Sequence, residues 1–295
     1  MNDHVKGLLV TTLGVLLVVP DSLFVRLIEA EPVTTAFFRG VSSGGIILLA
    51  LLLLQGGKGF AAVFRAGWPA YVFMALIGLT TPGFVFAVTQ TSVANVVFIF
   101  ATVPVFAAIF SKIFLGEAIS RRVVLTMVVV LLGLGIIAYG SGENEIANWK
   151  GDLWALIVAA SYAAALTAVR KVKTISMIPA IPIAYITSGL VLLPSAAPLA
   201  ALPTEWPLVL AHGVFIASAT CFLTLGPRYI SSAEVSLLIL LESVLAPILV
   251  WAVIGEDPGP WAIIGGGVVI GALVVSNIVA LRRRRPEPTV TEDVA

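Results

Sequence analysis

Two stretches of this chain are variants of one sentence. "TVPVFAAIFSKIFLGEAISRRVVLTMVVVLLG" from Thr102 and "SVLAPILVWAVIGEDPGPWAIIGGGVVIG" from Ser243 each give an apolar helix that ends in Gly-Glu and is followed by a second apolar helix. Laying Gly116-Glu117 on Gly255-Glu256 takes a shift of 139 residues, and the hydrophobic blocks before and after then match over nearly the whole chain. A soluble fold does not accommodate this sequence. Of 295 residues 59% are hydrophobic and 11% charged, with a mean hydropathy of +1.08, which is more apolar surface than a water-facing protein can bury. The duplication therefore predicts a membrane protein in two halves, and halves that rock against each other are a common construction of secondary transporters.

A span needs roughly 20 mostly apolar residues. On that measure helices are expected near 6–27, 32–54, 68–89, 93–114, 121–140, 150–171, 178–197, 207–227, 232–254 and 260–281. The fold class is an all-α membrane protein of ten transmembrane helices in two five-helix repeats, 1–142 and 143–281, followed by a tail, 282–295. Connections are short, and none is long enough for a soluble catalytic module. Five is odd, so the second repeat must be inverted relative to the first. Lys6-Gly7 and Lys150-Gly151 then open equivalent helices from opposite faces.

Of the 17 basic residues, all but Arg26, Arg39 and Lys150 fall on the side of the N-terminus and the even-numbered connections. The positive-inside rule places that side, and both termini, in the cytoplasm, and disfavours a dual topology. Lys6 before an apolar run imitates a signal peptide, but Pro20, Asp21 and Arg26 stand where a small-residue cleavage site belongs, so the first helix is expected to be retained. The tail opens with Arg282 to Arg285 and continues in Pro, Glu, Thr and Asp. It reads as a disordered segment whose arginines lie at anionic headgroups rather than on nucleic acid. The single cysteine, Cys221, lies within a span as a small packing residue.

These residues resemble a known family. Pro32…Arg39 opening the second helix, Pro104…Leu115-Gly116-Glu117 in the fourth, and Ala233-Glu234…Leu241-Glu242…Pro247…Gly255-Glu256 in the ninth are similar to the EamA family of the drug/metabolite transporter superfamily, over about 6–281. The resemblance implies a ten-helix inner-membrane protein of inverted repeats, many of whose relatives export amino acids or related metabolites. Ser243 departs from the pattern, since proline often follows the glutamate in the family; the bend of the ninth helix is then expected at Pro247.

Chemistry must come from the few polar residues inside the spans. Glu242 falls near mid-span, where an acidic residue costs about 2.5 to 3.5 kcal/mol on insertion scales. It reads either as a substrate-amine or proton site or as a packing carboxyl hydrogen-bonded to a neighbour. Asp21 follows Pro20, which loosens the helix near Leu16; it is a lining residue or a helix-end carboxylate that pairs with Arg26. Arg39 is shallow enough to snorkel outward, and a structural ion pair with Asp21 or Glu29 is expected of it. Glu117 and Glu256 are expected to cap the amides of the following helix or to pair with a base such as Arg121, with gating contacts as the alternative.

Pro82, Pro104 and Pro247 interrupt three helices, and Pro104 and Pro247 lie about one turn apart in the repeat register, the pattern that marks a midplane site. The substrate-binding residues expected around them are Asp21, Thr81, Phe84, Asn95, Phe98, Thr102, Tyr162, Tyr185 and Glu242. An aromatic, hydroxyl-lined cavity of this kind suits a small and partly apolar metabolite.

Enzyme readings fare worse. Gly40-Val41-Ser42-Ser43-Gly44 fits the G-x-S-x-G nucleophile pattern, yet it lies in an apolar helix, and its Gly-x-x-x-Gly spacing, shared by Gly267 and Gly271, is that of helix packing. His212 is the sole histidine within a span, His4 the other in the chain, and with one cysteine no zinc or haem set can be assembled. A phosphate-binding G-x-x-x-x-G-K-[ST] loop is missing, so ATP is not expected to drive the protein directly. The expectation is a non-enzymatic exporter of an amino-acid-like solute without cofactor or metal. Its partners are the bilayer and that solute, no nucleic acid is expected, and a homodimer is admitted. A non-transporting scaffold or receptor is the alternative, and an intramembrane serine hydrolase a distant third.

Overall fold

The computed structural model describes residues 3–141, 147–172, 175–225, 229–230 and 232–283. The expected repeat boundary at 142/143 and most of the tail lie outside them. The described chain is helical, without a strand: α1 Asp3–Val18, α2 Asp21–Leu27, α3 Pro32–Gln55, α4 Lys58–Arg65, α5 Trp68–Gln90, α6 Val93–Phe100, α7 Val103–Leu115, α8 Arg121–Ser141, α9 Trp149–Val169, α10 Ala180–Leu192, α11 Pro198–Leu225, α12 Ser232–Ile254 and α13 Pro260–Arg283. Eight segments are long and apolar enough to cross a bilayer, and the shorter Ala180–Ser195 and Leu238–Ile254 complete ten spans.

Proline chemistry accounts for most departures from the expected bounds. The first span is divided at Pro20, which stands at the N-cap of α2, and the fourth at Ala101 and Thr102, just before Pro104 in the first turn of α7. There a missing N–H is harmless, so proline starts a helix instead of bending one. Pro82 and Pro247 remain inside continuous helices. The bends expected at matched depth therefore differ: a break in the first half and a proline carried within the helix in the second. The eighth span begins at Pro198 rather than near 207, with Pro203 and Pro207 inside it, because the flanking Leu and Ala residues keep the helix going. α10 ends early, in a 3-10 turn at Leu193–Ser195 that contains Pro194. The short amphipathic α4 answers to no expected span.

The packing obeys an exchange of halves. Equating α1/α2 with α9, α3 with α10, α5 with α11, α6/α7 with α12 and α8 with α13, the main cross-repeat contacts have counterparts. Thus α5 packs on α9 as α11 does on α1, and α3 packs on α11 as α10 does on α5. Three contacts are their own counterparts, α3 with α10, α6 with α12 and α8 with α13, so the pseudo-two-fold axis runs through all three.

Glycine lets the backbones approach where α3 crosses α10 and α8 crosses α13. A Cβ on Gly40 would lie 2.6 Å from the Tyr185 carbonyl oxygen, and one on Gly265 2.7 Å from that of Gly133. Gly44 meets Tyr185 and Ile186, so the Gly40/Gly44 pattern is a packing face as expected. Gly267 and Gly271 are not: nothing lies within 4 Å of a Cβ at either, and Gly133 and Gly265 make the contact instead. The sequence spacing of two glycines does not say which face of α13 meets α8.

Candidate functional site

Breaking the first span at Pro20 puts Asp21 at the start of α2, 3% exposed and surrounded by helices. A carboxylate buried among helices needs charged or hydrogen-bonding partners. Arg39 of α3 supplies the first: its Nε donates to Oδ1 at 3.1 Å and its Nη2 to Oδ2 at 2.6 Å. His212 of α11 supplies the second, with Nε2 2.7 Å from Oδ1. Phe24 stacks on the imidazole with centroids 5.4 Å apart, and the Phe84 ring lies 5.1 Å from Arg39 Cζ. Arg39 is thus turned inward and does not snorkel, and Asp21 pairs with it rather than with Arg26. On sequence alone His212 stands only as a hydrolase partner; its being the lone histidine in a span is the signal that a buried acid needs it.

Around this triad the second repeat adds further polar groups. Glu242 on α12 is half-buried and lies within electrostatic reach of Asp21 and Arg39. Tyr185 of α10 faces Arg39, and Tyr162 of α9 neighbours both Tyr185 and Glu242 while its ring packs on Phe100 at 5.6 Å. Asp21, Phe84, Tyr162, Tyr185 and Glu242 are therefore brought together. Thr81 Oγ1, beside Pro82, and Ser43 Oγ are buried without a hydrogen-bond partner.

Other expected lining residues lie elsewhere. Phe98 packs against the Cα of Gly266 on α13, and Thr102 donates to the Ile99 carbonyl at 2.6 Å in the break between α6 and α7. Asn95 belongs to a network at the end of the bundle away from the N-terminus, where its amide donates to Asp152 Oδ1 at 3.1 Å, as does the Thr91 hydroxyl at 2.7 Å.

The doubled Gly-Glu motif resolves into a pair of bridges between the halves. Gly116 and Gly255 have φ of +71° and +73° and end α7 and α12 in the left-handed turn that glycine tolerates. Glu256 then reaches Arg26 Nε at 2.9 Å and accepts the Val93 amide at 2.7 Å, at the start of α6. Glu117 reaches Arg170 Nη2 at 2.5 Å. Glu256 caps a helix of the other repeat rather than the one that follows it, and Glu117 pairs with Arg170 rather than Arg121. The register that lays Lys6 on Lys150 also lays Arg26 on Arg170, so the two bridges are counterparts at opposite ends of the bundle. They differ in burial: the side chains are 20% and 8% exposed in Arg26–Glu256 and 44% and 48% in Arg170–Glu117.

The nucleophile pattern is inert geometrically. Ser42 lies within α3 and its hydroxyl donates to the Phe38 carbonyl at 2.6 Å. Among the described residues no cluster of His, Cys, Asp and Glu is placed to hold a metal ion.

Comparison with known proteins agrees with this architecture. The model of the EamA-like transporter family matches residues 5–139 and 149–278, one repeat each. The pseudopaline exporter CntI of Pseudomonas aeruginosa is 27% identical over 243 residues, covering 81% of this chain and 83% of the exporter. A protein of known crystal structure superposes with a TM-score of 0.66 at 18% identity, over 96% of this chain and 100% of that one, a likeness of fold. Two family matches, one on each half of a duplicated and inverted helical bundle, place this chain in the EamA-like transporter family of multi-pass membrane proteins.

Proposed function

We propose that the protein is a secondary transporter that exports an amino acid or amino-acid-like metabolite across the bacterial inner membrane by alternating access, without ATP. The crossed bridges carry this reading. Each ties the first helix of one repeat to the Gly-Glu turn of the other, one at each end of the bundle, so rocking of the halves strains one while relieving the other. Arg26–Glu256 is buried and fixed to the start of α6, whereas Arg170–Glu117 is half-exposed, and exposed pairs contribute about 0 to 1 kcal/mol. In this reading the conformation is the one shut away from the N-terminal face. With that face cytoplasmic, solute enters the cavity from inside, and the likeness to an exporter supports the outward direction.

Asp21, Thr81, Phe84, Tyr162, Tyr185 and Glu242 line the cavity in this reading, Phe98 and Thr102 border it, and Asn95 belongs to its outer closure. The test is uptake into liposomes reconstituted with the full chain, screened against amino acids, sugars and nucleosides. Uptake of at least one amino acid without ATP is expected. Transport confined to sugars or nucleosides, or none at all, overturns the proposal.

A further inference from the structure

The bond between Arg39 and Asp21 occupies one edge of the guanidinium only. Nε and Nη2 take the two carboxylate oxygens side-on. A guanidinium is a planar fork of five N–H groups, so the end-on edge, Nη1 with the second proton of Nη2, is left over. Among the described residues Nη1 makes no hydrogen bond. Meanwhile the plane of the fork is fixed: Phe84 lies over it, and Asp21 is held in turn by His212 at 2.7 Å, which Phe24 stacks against. This is a rigid donor pair without an acceptor, 9% exposed at the side chain, inside a membrane bundle.

Glu242 presents the complementary vacancy. It comes from the other repeat, is half-buried, makes no hydrogen bond among the described residues, and lies within electrostatic reach of Arg39. Arg39 and Asp21 cancel in charge, so an ionised Glu242 is left without a counter-charge. A solute with one carboxylate and one ammonium satisfies both open valences, whereas a plain amine leaves the Arg39 edge unmet and a plain acid leaves Glu242 unmet. Unmet buried polar groups are what make such sites selective.

We propose that the end-on edge of Arg39 anchors the carboxylate of the transported solute and Glu242 its ammonium. Asp21 and His212 are positioning residues that hold the guanidinium. This rests on reading the cavity as the transport site.

The test uses proteoliposomes of the full chain and labelled phenylalanine, leucine and histidine as probes, each competed by its decarboxylated amine and by its carboxamide. For an amino acid that is taken up, both analogues are expected to compete at least about tenfold more weakly, the scale of a lost charge-assisted bidentate contact. Amine or amide competing as well as the parent overturns the anchor and leaves transport standing; no uptake of any probe overturns the transport reading beneath it. In the double variant Asp21→Asn/Arg39→Gln, which removes both charges of the buried pair together, the preference should fall toward parity, and a retained tenfold preference refutes the assignment. His212→Gln, able to keep a bond to Asp21, should preserve more of the preference than His212→Leu; equal preference in both denies the positioning role. Should the double variant fail to insert, the analogue series on the unaltered protein decides alone.

Discussion

Arg26 and Glu256 lie near opposite ends of the sequence, yet their side chains meet at 2.9 Å. The same bridge recurs between Arg170 and Glu117 at the other end of the bundle. In each, a left-handed glycine ends a helix and the next residue crosses to the arginine that closes the first helix of the other repeat. The doubled Gly-Glu is thus a fastening between repeats, and a glutamate belonging to one half is satisfied only by the other.

Cutting the buried bridge should open the outer end. In a Cys221→Ser background, Val93→Cys places a thiol at a position 1% exposed beside Glu256, where labelling by a membrane-impermeant maleimide from outside is expected to be slow. Adding Glu256→Gln should raise that rate about tenfold, a bias of roughly 1.4 kcal/mol between the two states. Glu117→Gln, at the half-exposed bridge, should leave it unchanged or lower it. Equal rates in all three proteins would show that the bridges do not set the access state.

Packing at the pseudo-two-fold axis makes a prediction about stability. Gly265→Ala would bring a methyl to 2.7 Å from the Gly133 carbonyl oxygen, so α8 and α13 must separate, at a cost of about 1 to 3 kcal/mol. Gly267→Ala, which meets open space, should be neutral or stabilising, by up to about 1 kcal/mol from helix propensity. Thermal unfolding in detergent distinguishes them, and a lower midpoint for Gly267→Ala than for Gly265→Ala would contradict the described crossing.

Ser42→Ala should keep most transport activity. The hydroxyl serves only the Phe38 carbonyl of its own helix, a bond whose loss costs about 1 kcal/mol or less. Complete loss with normal membrane expression would revive a nucleophilic serine.

The fold was legible because hydrocarbon imposes few solutions: apolar run lengths give the spans, and the repeat gives their inversion. Pairings were less so. Arg26, Arg121 and Arg170 are all arginines at helix ends, and sequence spacing ranks local partners first, whereas Glu117 and Glu256 found theirs across the repeat boundary. The polar cluster was half legible. Asp21, Phe84 and Glu242 stood out by cost and position, but His212 needed the knowledge that α11 packs on α2 and α3. Asn95 looked the same in sequence as a cavity residue, and only the approach of Asp152 puts it at the bundle end.

Topology rests on the distribution of basic residues alone. Met1 and Ala295 should both be cytoplasmic, because Arg26, Arg39 and Lys150 are the only basic residues assigned to the other side. Reporter fusions at each terminus in intact cells test it, and a periplasmic signal from either end would contradict the orientation and the even number of spans.

Glu242 is the residue on which transport should turn. Its half-buried carboxyl makes no hydrogen bond among the described residues and lies close to Arg39 and Asp21, and in the proposed site a proton and a substrate ammonium compete for it. Glu242→Gln keeps the shape and the hydrogen-bonding capacity and removes the titration. A folded, membrane-inserted protein is expected, with transport reduced about tenfold or more, the scale of one lost charge-assisted bond, and with a flattened dependence of rate on pH. Proteoliposome uptake measured from about pH 4 to about pH 8.5, a range chosen to include the ordinary carboxyl and imidazole titrations, gives both readouts. Unaltered rate and pH dependence would reduce this carboxyl to packing and move the search for the coupling group to Asp21 and His212.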